Sequence, residues 1–120
     1  MTDRIDESLC GLLGDFFTIF AHPTRMGVFC ALQHGPQTVT KLAEYTDVSI
    51  QNISQHLRLM RDKGAVVTDK QGQFVHYRIA DERFTQAARL IAQALIDNAQ
   101  RRAAAMRPAP PAASDAAGSA

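Results

Sequence analysis

Gln51, Asn52, Ser54 and Gln55 bring short amides and a hydroxyl together within five consecutive positions, and Arg58 follows. Such groups donate and accept hydrogen bonds, which is what the base edges in a DNA groove require of a reader. A helix facing water would ordinarily carry Glu and Lys there instead. The plainer alternative is a polar surface helix that happens to be rich in amides. A second pair able to do chemistry is Cys10 and Cys30. Two cysteines are too few for a disulfide scaffold, and in a cytosolic chain they are thiols at rest. Their plainer alternative is a place among the small core residues. There is no Gly-rich phosphate loop, nucleophile elbow or paired-carboxylate cleft, and the histidines are dispersed, so no enzyme is expected.

The amides need a helix to hold them. Ser49 is a good N-cap, and Ile50, Ile53, Leu57 and Met60 recur at helical spacing on a core side, with Gln51, Gln55, Arg58 and Asp62 opposite. Gly64 supplies a left-handed stop, after which Ala65 to Thr68 read as extended. Upstream, Thr38 or a neighbour caps a short helix whose Leu42 and Tyr45 point inward, and Asp47 makes a tight turn into Ser49. A short helix, a tight turn and a helix with a polar face make a helix-turn-helix.

Around this unit, Ile5, Leu9, Leu12, Leu13, Phe16, Phe17 and Phe20 predict a first helix over residues 3–20. Its three phenylalanines exceed what a small domain needs to cover and make it a candidate dimer surface. His22-Pro23 ends that helix and starts a second one, through Met26, Val28, Phe29, Cys30 and Leu32, closed by Gly35-Pro36. Val66 to Thr68 and Phe74 to Ile79 read as strands around a hairpin turn at Asp69 to Gly72, which forms a wing. Asp81 caps a last helix carrying Phe84, Ala88, Ile91, Ala94 and Leu95 up to about Ala105. The predicted fold is mostly α with a β-hairpin wing, a winged helix-turn-helix. One domain spans residues 1–105, and residues 106–120 form an Ala/Pro-rich disordered tail.

The 120 residues carry a net charge of only +1. By segment the balance is −2 for residues 1–33, +2 for 34–78 and +1 for 79–120. Any affinity for DNA therefore comes from a few placed contacts, with a moderate salt slope. The apolar runs stop well short of the ~18 residues of a membrane span, so no membrane association is expected and the chain reads as soluble and cytoplasmic.

The order of elements and four segments together resemble the ArsR/SmtB family of bacterial winged-helix repressors over about residues 8–97. The segments are Ala21-His-Pro-Thr-Arg25, Val39-Thr-Lys-Leu-Ala-Glu44, Val48 to Leu57, and Val75-His-Tyr-Arg-Ile79. The resemblance implies a homodimer built from the first and last helices, binding to an inverted-repeat operator in double-stranded DNA, and repression relieved by a small inducer. Carried over by position, Gln51, Ser54 and Gln55 are the base-edge candidates, with Asn52 and Arg58 beside them. Thr40, Lys41, Lys70 and Gln73 are candidates for phosphate or minor-groove contact. Ile50 departs from the family pattern, where a polar side chain is usual; it either packs inward or touches a thymine methyl. Arg25, Tyr77 and His56 read as structural.

The family's familiar metal ligands are missing, as the third helix has no cysteine and residues 81–105 have no histidine. Neither a metal nor a cofactor is expected. Cys30 looks like the sulfur-reactive cysteine of the family's persulfide sensors, which place a second cysteine in the last helix; here Cys10, in the first helix, is the only other one. Cys10 and Cys30 would lie ~18 and ~12 Å from the corner at Ala21-His22, roughly level if the first two helices fold back on each other. A reactive sulfur species is the expected inducer, with arsenite as the alternative at the same thiols.

Overall fold

In a computed structural model, which describes residues 5–108, the elements are α1 (Glu7–Phe17), a 3-10 turn (Thr18–Ala21), α2 (Pro23–Leu32), α3 (Val39–Thr46), α4 (Ile50–Asp62), β1 (Val66–Gln71), β2 (Phe74–Ile79) and α5 (Glu82–Met106). This is the winged helix-turn-helix order. The chain divides into two compact units, one ending at Gln86 and one beginning at Ala87 within α5. Residues 109–120, most of the expected tail, lie outside the described residues, and Met106 still belongs to α5.

Each helix starts where its local chemistry satisfies the free backbone N–H groups. Asp6 caps α1 through Leu9 N at 2.9 Å, and the His22 ring caps α2 by accepting from Thr24 N at 3.1 Å. Thr38 accepts from Lys41 N at 3.3 Å, Ser49 from Asn52 N at 3.2 Å, and Asp81 from Arg83 N at 2.9 Å. Between α3 and α4, Asp47 adopts φ 56°, a left-handed conformation that Asp tolerates, and this lets a single short turn join the two helices.

The core draws on the 3-10 turn, α2, α3, α4 and β1: Ile19, Val28, Leu42, Ile53, Leu57, Met60 and Val66 are fully buried. Each such side chain contributes about 1.5–3 kcal/mol relative to exposure. The α2–α3 approach is close, since a Cβ on Gly27 would stand 3.4 Å from Thr46 Cγ2. Thr46, half-buried, takes the inward place expected of Tyr45, which is 56% exposed. The reason is geometric. The buried stripe of this short helix is centred between Leu42 and Ala43, and Tyr45 falls to one side of it.

The first helix also departs from expectation. Phe16 packs on Phe84 and Phe20 with ring centroids 4.7 and 5.5 Å away, and Phe20 packs on Phe29 at 5.0 Å. Two of the three surplus phenylalanines are thus used within the chain, and only Phe17 is left exposed. α1 itself buries none of its residues fully. Among the described residues, it is the 3-10 turn that packs against α2.

β1 and β2 pair antiparallel from Val66↔Ile79 to Gln71↔Phe74. The hairpin turn is therefore Gly72-Gln73, tighter than the expected Asp69 to Gly72. Gly72 at φ 62° fills the first central position of a two-residue loop, which needs positive φ. Asp69 is instead held in the strand by Arg78 Nε at 2.6 Å. An unexpected rung joins Gln37 to Tyr77: Gln37 N donates to Tyr77 O at 2.9 Å and Tyr77 N to Gln37 O at 2.7 Å. It fastens the hairpin to the residue just before the cap of α3.

Candidate nucleic-acid interface

α4 presents two opposed chemistries because apolar and polar residues alternate at a 3.6-residue period. Ile53, Leu57 and Met60 are buried, whereas Gln51, Asn52, Ser54, Gln55 and Arg58 are all exposed. The side-chain amides of Gln51, Asn52 and Gln55 make no hydrogen bond among the described residues, so their donors and acceptors stay open to a ligand. Arg58 likewise has no ion-pair partner among the described residues.

α3 packs against α4 and carries Thr40 and Lys41, both exposed, on its first turn. Lys41 Nζ lies 3.7 Å from Glu44 one turn on, an exposed pair that is cheaply released. Lys70 and Gln73 are exposed on the hairpin, Lys70 on β1 beside Val75 and Gln73 in the turn itself. Lys63 and Arg78, by contrast, are spoken for by Asp15 and Asp69.

Behind α4 sits a small polar cluster. Arg25 Nε donates to Ile19 O at 2.7 Å, its Nη1 lies 3.4 Å from His56 Nδ1, and the rings of His22 and His56 are 4.5 Å apart. Arg25 is only a donor, so this contact suits a neutral His56 that accepts at Nδ1. Burial first, then repulsion from His22 and Arg25, holds the His56 pKa below its usual value near 6.5. The unfolded chain therefore takes up protons more readily as pH falls below about 6.5, and the fold loses stability across that window. Thermal melting from about pH 7.5 down to about 5.5 should show a steeper loss for the wild type than for His56→Asn. Parallel curves would show that His56 is not a source of acid sensitivity.

Two features of the site escape periodicity. Ile50, which shares the apolar spacing of Ile53 and Leu57, is 54% exposed at the first position of α4. Lys63, the C-cap of α4, makes a two-pronged ion pair with Asp15 of α1 at 2.7 and 2.8 Å. A separation of 48 positions leaves no local trace of that tie. Beside the polar side chain usual at this place in the family, Ile50's position in the opening turn, one turn before Ser54, is the sequence signal that marks it as outward.

Cys10 and Cys30 are free thiols and both are exposed, which removes the reading of either as a core residue. They lie on α1 and α2, on either side of the 3-10 turn. His34, beyond Cys30, lines an open cleft of about 320 Å³ with Gln37, Lys41 and Tyr45. Among the described residues, no three His, Cys, Asp or Glu side chains cluster as a metal site, and no helix is long and apolar enough to cross a membrane.

Residues 20–69, from the 3-10 turn through α4 into β1, match a helix-turn-helix domain family. Across 79 residues the chain is 38% identical to the arsenical resistance operon repressor of Escherichia coli K12, covering 65% of this chain and 68% of that one. Across 91 residues it is 30% identical to the transcriptional regulator NmtR of Mycobacterium tuberculosis, covering 76% and 73%. The crystal structure of M. tuberculosis Rv0081 superposes with a TM-score of 0.74 at 25% identity, over 82% of this chain and 99% of that one. The curated relatives are transcriptional regulators rather than enzymes. With identity of this extent lying over an α3–turn–α4 unit whose polar face is open, the chain belongs to the ArsR/SmtB family of winged-helix, DNA-binding transcriptional repressors.

Proposed function

We propose that the protein acts as a cytoplasmic homodimer that lays its two α4 helices in successive major grooves of an inverted-repeat operator, and that thiol chemistry at Cys10 and Cys30 releases it. The observation that carries this reading is the uncommitted amide face of α4. Gln51, Ser54 and Gln55 are assigned to base edges, with Asn52 and Arg58 flanking them. Thr40, Lys41, Lys70 and Gln73 are assigned to phosphates or the minor groove.

Support for the dimer comes from apolar surface that the chain does not cover itself. On α1, Leu9, Leu12 and Phe17 are exposed, and Leu90, Ile91, Leu95 and Ile96 are exposed in the second unit. Surface of this extent on a small protein ordinarily meets another copy or partner. Residues 1–105 are assigned the whole activity, and residues 106–120 no part in it.

Selection of random duplexes on the full-length protein tests this directly. The expected product is two inverted half-sites with centres about one helical turn apart, bound more weakly as salt rises. Enrichment of a single half-site would remove the dimer. No enrichment, or binding indifferent to salt, would favour a protein-interaction module instead.

The sensing step is read as follows. A sulfane sulfur donor passes its outer sulfur to the Cys30 thiolate and leaves as a thiol, giving a persulfide, and Cys10 reacts likewise. The two persulfides condense to a trisulfide and release hydrogen sulfide. Such a bridge fixes α1 against α2 and strains the Asp15–Lys63 tie to the end of α4. Arsenite is the second reading, favoured by the 38% identity to an arsenical resistance repressor. It commonly takes three thiolates, and one chain offers two.

A further inference from the structure

We propose that Ile50 reads the C5-methyl group of a pyrimidine in the major groove, making an apolar contact within an otherwise hydrogen-bonding interface. The inference rests on the reading of α4 as the DNA-facing helix.

Ile50 is the first residue of α4, directly after the Ser49 cap, and it is 54% exposed while Ile53 and Leu57 are fully buried. It lies on the spacing of the core stripe but at its uncovered end, so its side chain stands largely open. Helical side chains lean toward the helix N-terminus, and at the first position there is no preceding turn to lean on. The branched side chain thus projects past the end of α4. Its neighbour one turn on is Ser54, whose small exposed side chain leaves that flank of Ile50 open. Gln51, adjacent to it, is exposed as well.

In a helix-turn-helix the first residues of the second helix are the ones that meet base edges. Ile50 has no donor or acceptor, so set against N7, O6, N6 or N4 it would displace water without replacing its hydrogen bonds. The one apolar feature of the major groove is the methyl at C5 of thymine, and methylated cytosine carries the same group in the same place. That group is the complement of this side chain. A buried methyl is worth about fourfold in affinity, so removing the two symmetry-related ones should cost about fifteenfold.

The test uses the full-length protein and the duplex it selects. Thymines are replaced by deoxyuridine, one symmetry-related pair at a time, which removes only the methyl groups. One pair should weaken wild-type binding about fifteenfold, Ile50→Val by less, and Ile50→Ala by no more than about twofold. Placing cytosine and then 5-methylcytosine at that pair separates the two sources of the methyl group. Methylation should restore affinity over cytosine for the wild type and not for Ile50→Ala. Since Ile50 is exposed, Ile50→Ala should melt with the wild type, which shows that any lost binding is not lost folding. Failure to select any duplex would overturn the DNA reading and this proposal with it. A selected duplex whose deoxyuridine substitutions leave the wild type unaffected, or affect wild type and Ile50→Ala equally, overturns the assignment of Ile50 alone.

Discussion

Replacing Gln51 and Gln55 together by Ala is expected to weaken binding to the selected operator by nearly a thousandfold. A well-placed amide–base pair contributes about 1–3 kcal/mol of discrimination. Taking the lower bound for two glutamines on each of two protomers gives about 4 kcal/mol, close to three decades in Kd. The loss should fall on sequence discrimination alone. Amides neutralise no phosphate, so binding to an unrelated duplex and the salt slope should stay as they were. Both side chains are exposed, so stability should move by less than about 0.5 kcal/mol. Lys70→Ala supplies the contrast, weakening all duplexes alike and lowering the salt slope by about one per protomer. Measuring Kd for both duplexes across a salt series separates these outcomes. Equal losses on the two duplexes would take the glutamines off the base edges.

The second large effect concerns release. Turning a mostly occupied operator into a mostly empty one requires about 5.5 kcal/mol of differential affinity between thiol and modified forms. Treating the operator complex with a persulfide donor should release wild-type protein, and the released protein should be heavier by one sulfur less two hydrogens. Cys30→Ser should stay bound under the same treatment. Cys10→Ser should gain sulfur on Cys30 and remain bound, because the bridge and not the first persulfide draws on α1. An undiminished response in Cys30→Ser would end the proposal. Release of the wild type by arsenite and not by the persulfide donor would transfer the two thiols to the second reading.

The legible parts of this molecule are those that residues within four positions of each other decide. His22-Pro23, Thr38, Ser49 and Asp81 each begin a helix where their own side chains meet the backbone, and the order of elements follows from them. The division of α4 into a buried and a polar face is legible for the same reason. What is not legible depends on where cover ends. Ile50 and Met60 lie on one apolar spacing, yet one is 54% exposed and the other fully buried, because none of the described residues covers the first turn of α4. At the tip of the hairpin several polar residues look equally like a turn, and only the positive φ at Gly72 decides among them. The exposure of Cys10 and Cys30, like the Asp15–Lys63 tie, is set by segments far apart in the chain.

The rung between Gln37 and Tyr77 bears on how quickly and cheaply the protein engages a duplex. A hairpin held only at its base would sample many orientations, and docking would have to freeze them at an entropic cost. Stapled to the entry of α3, the arm is already aimed, so the contact proposed for Lys70 and Gln73 would restrict mainly the side chains of its tip.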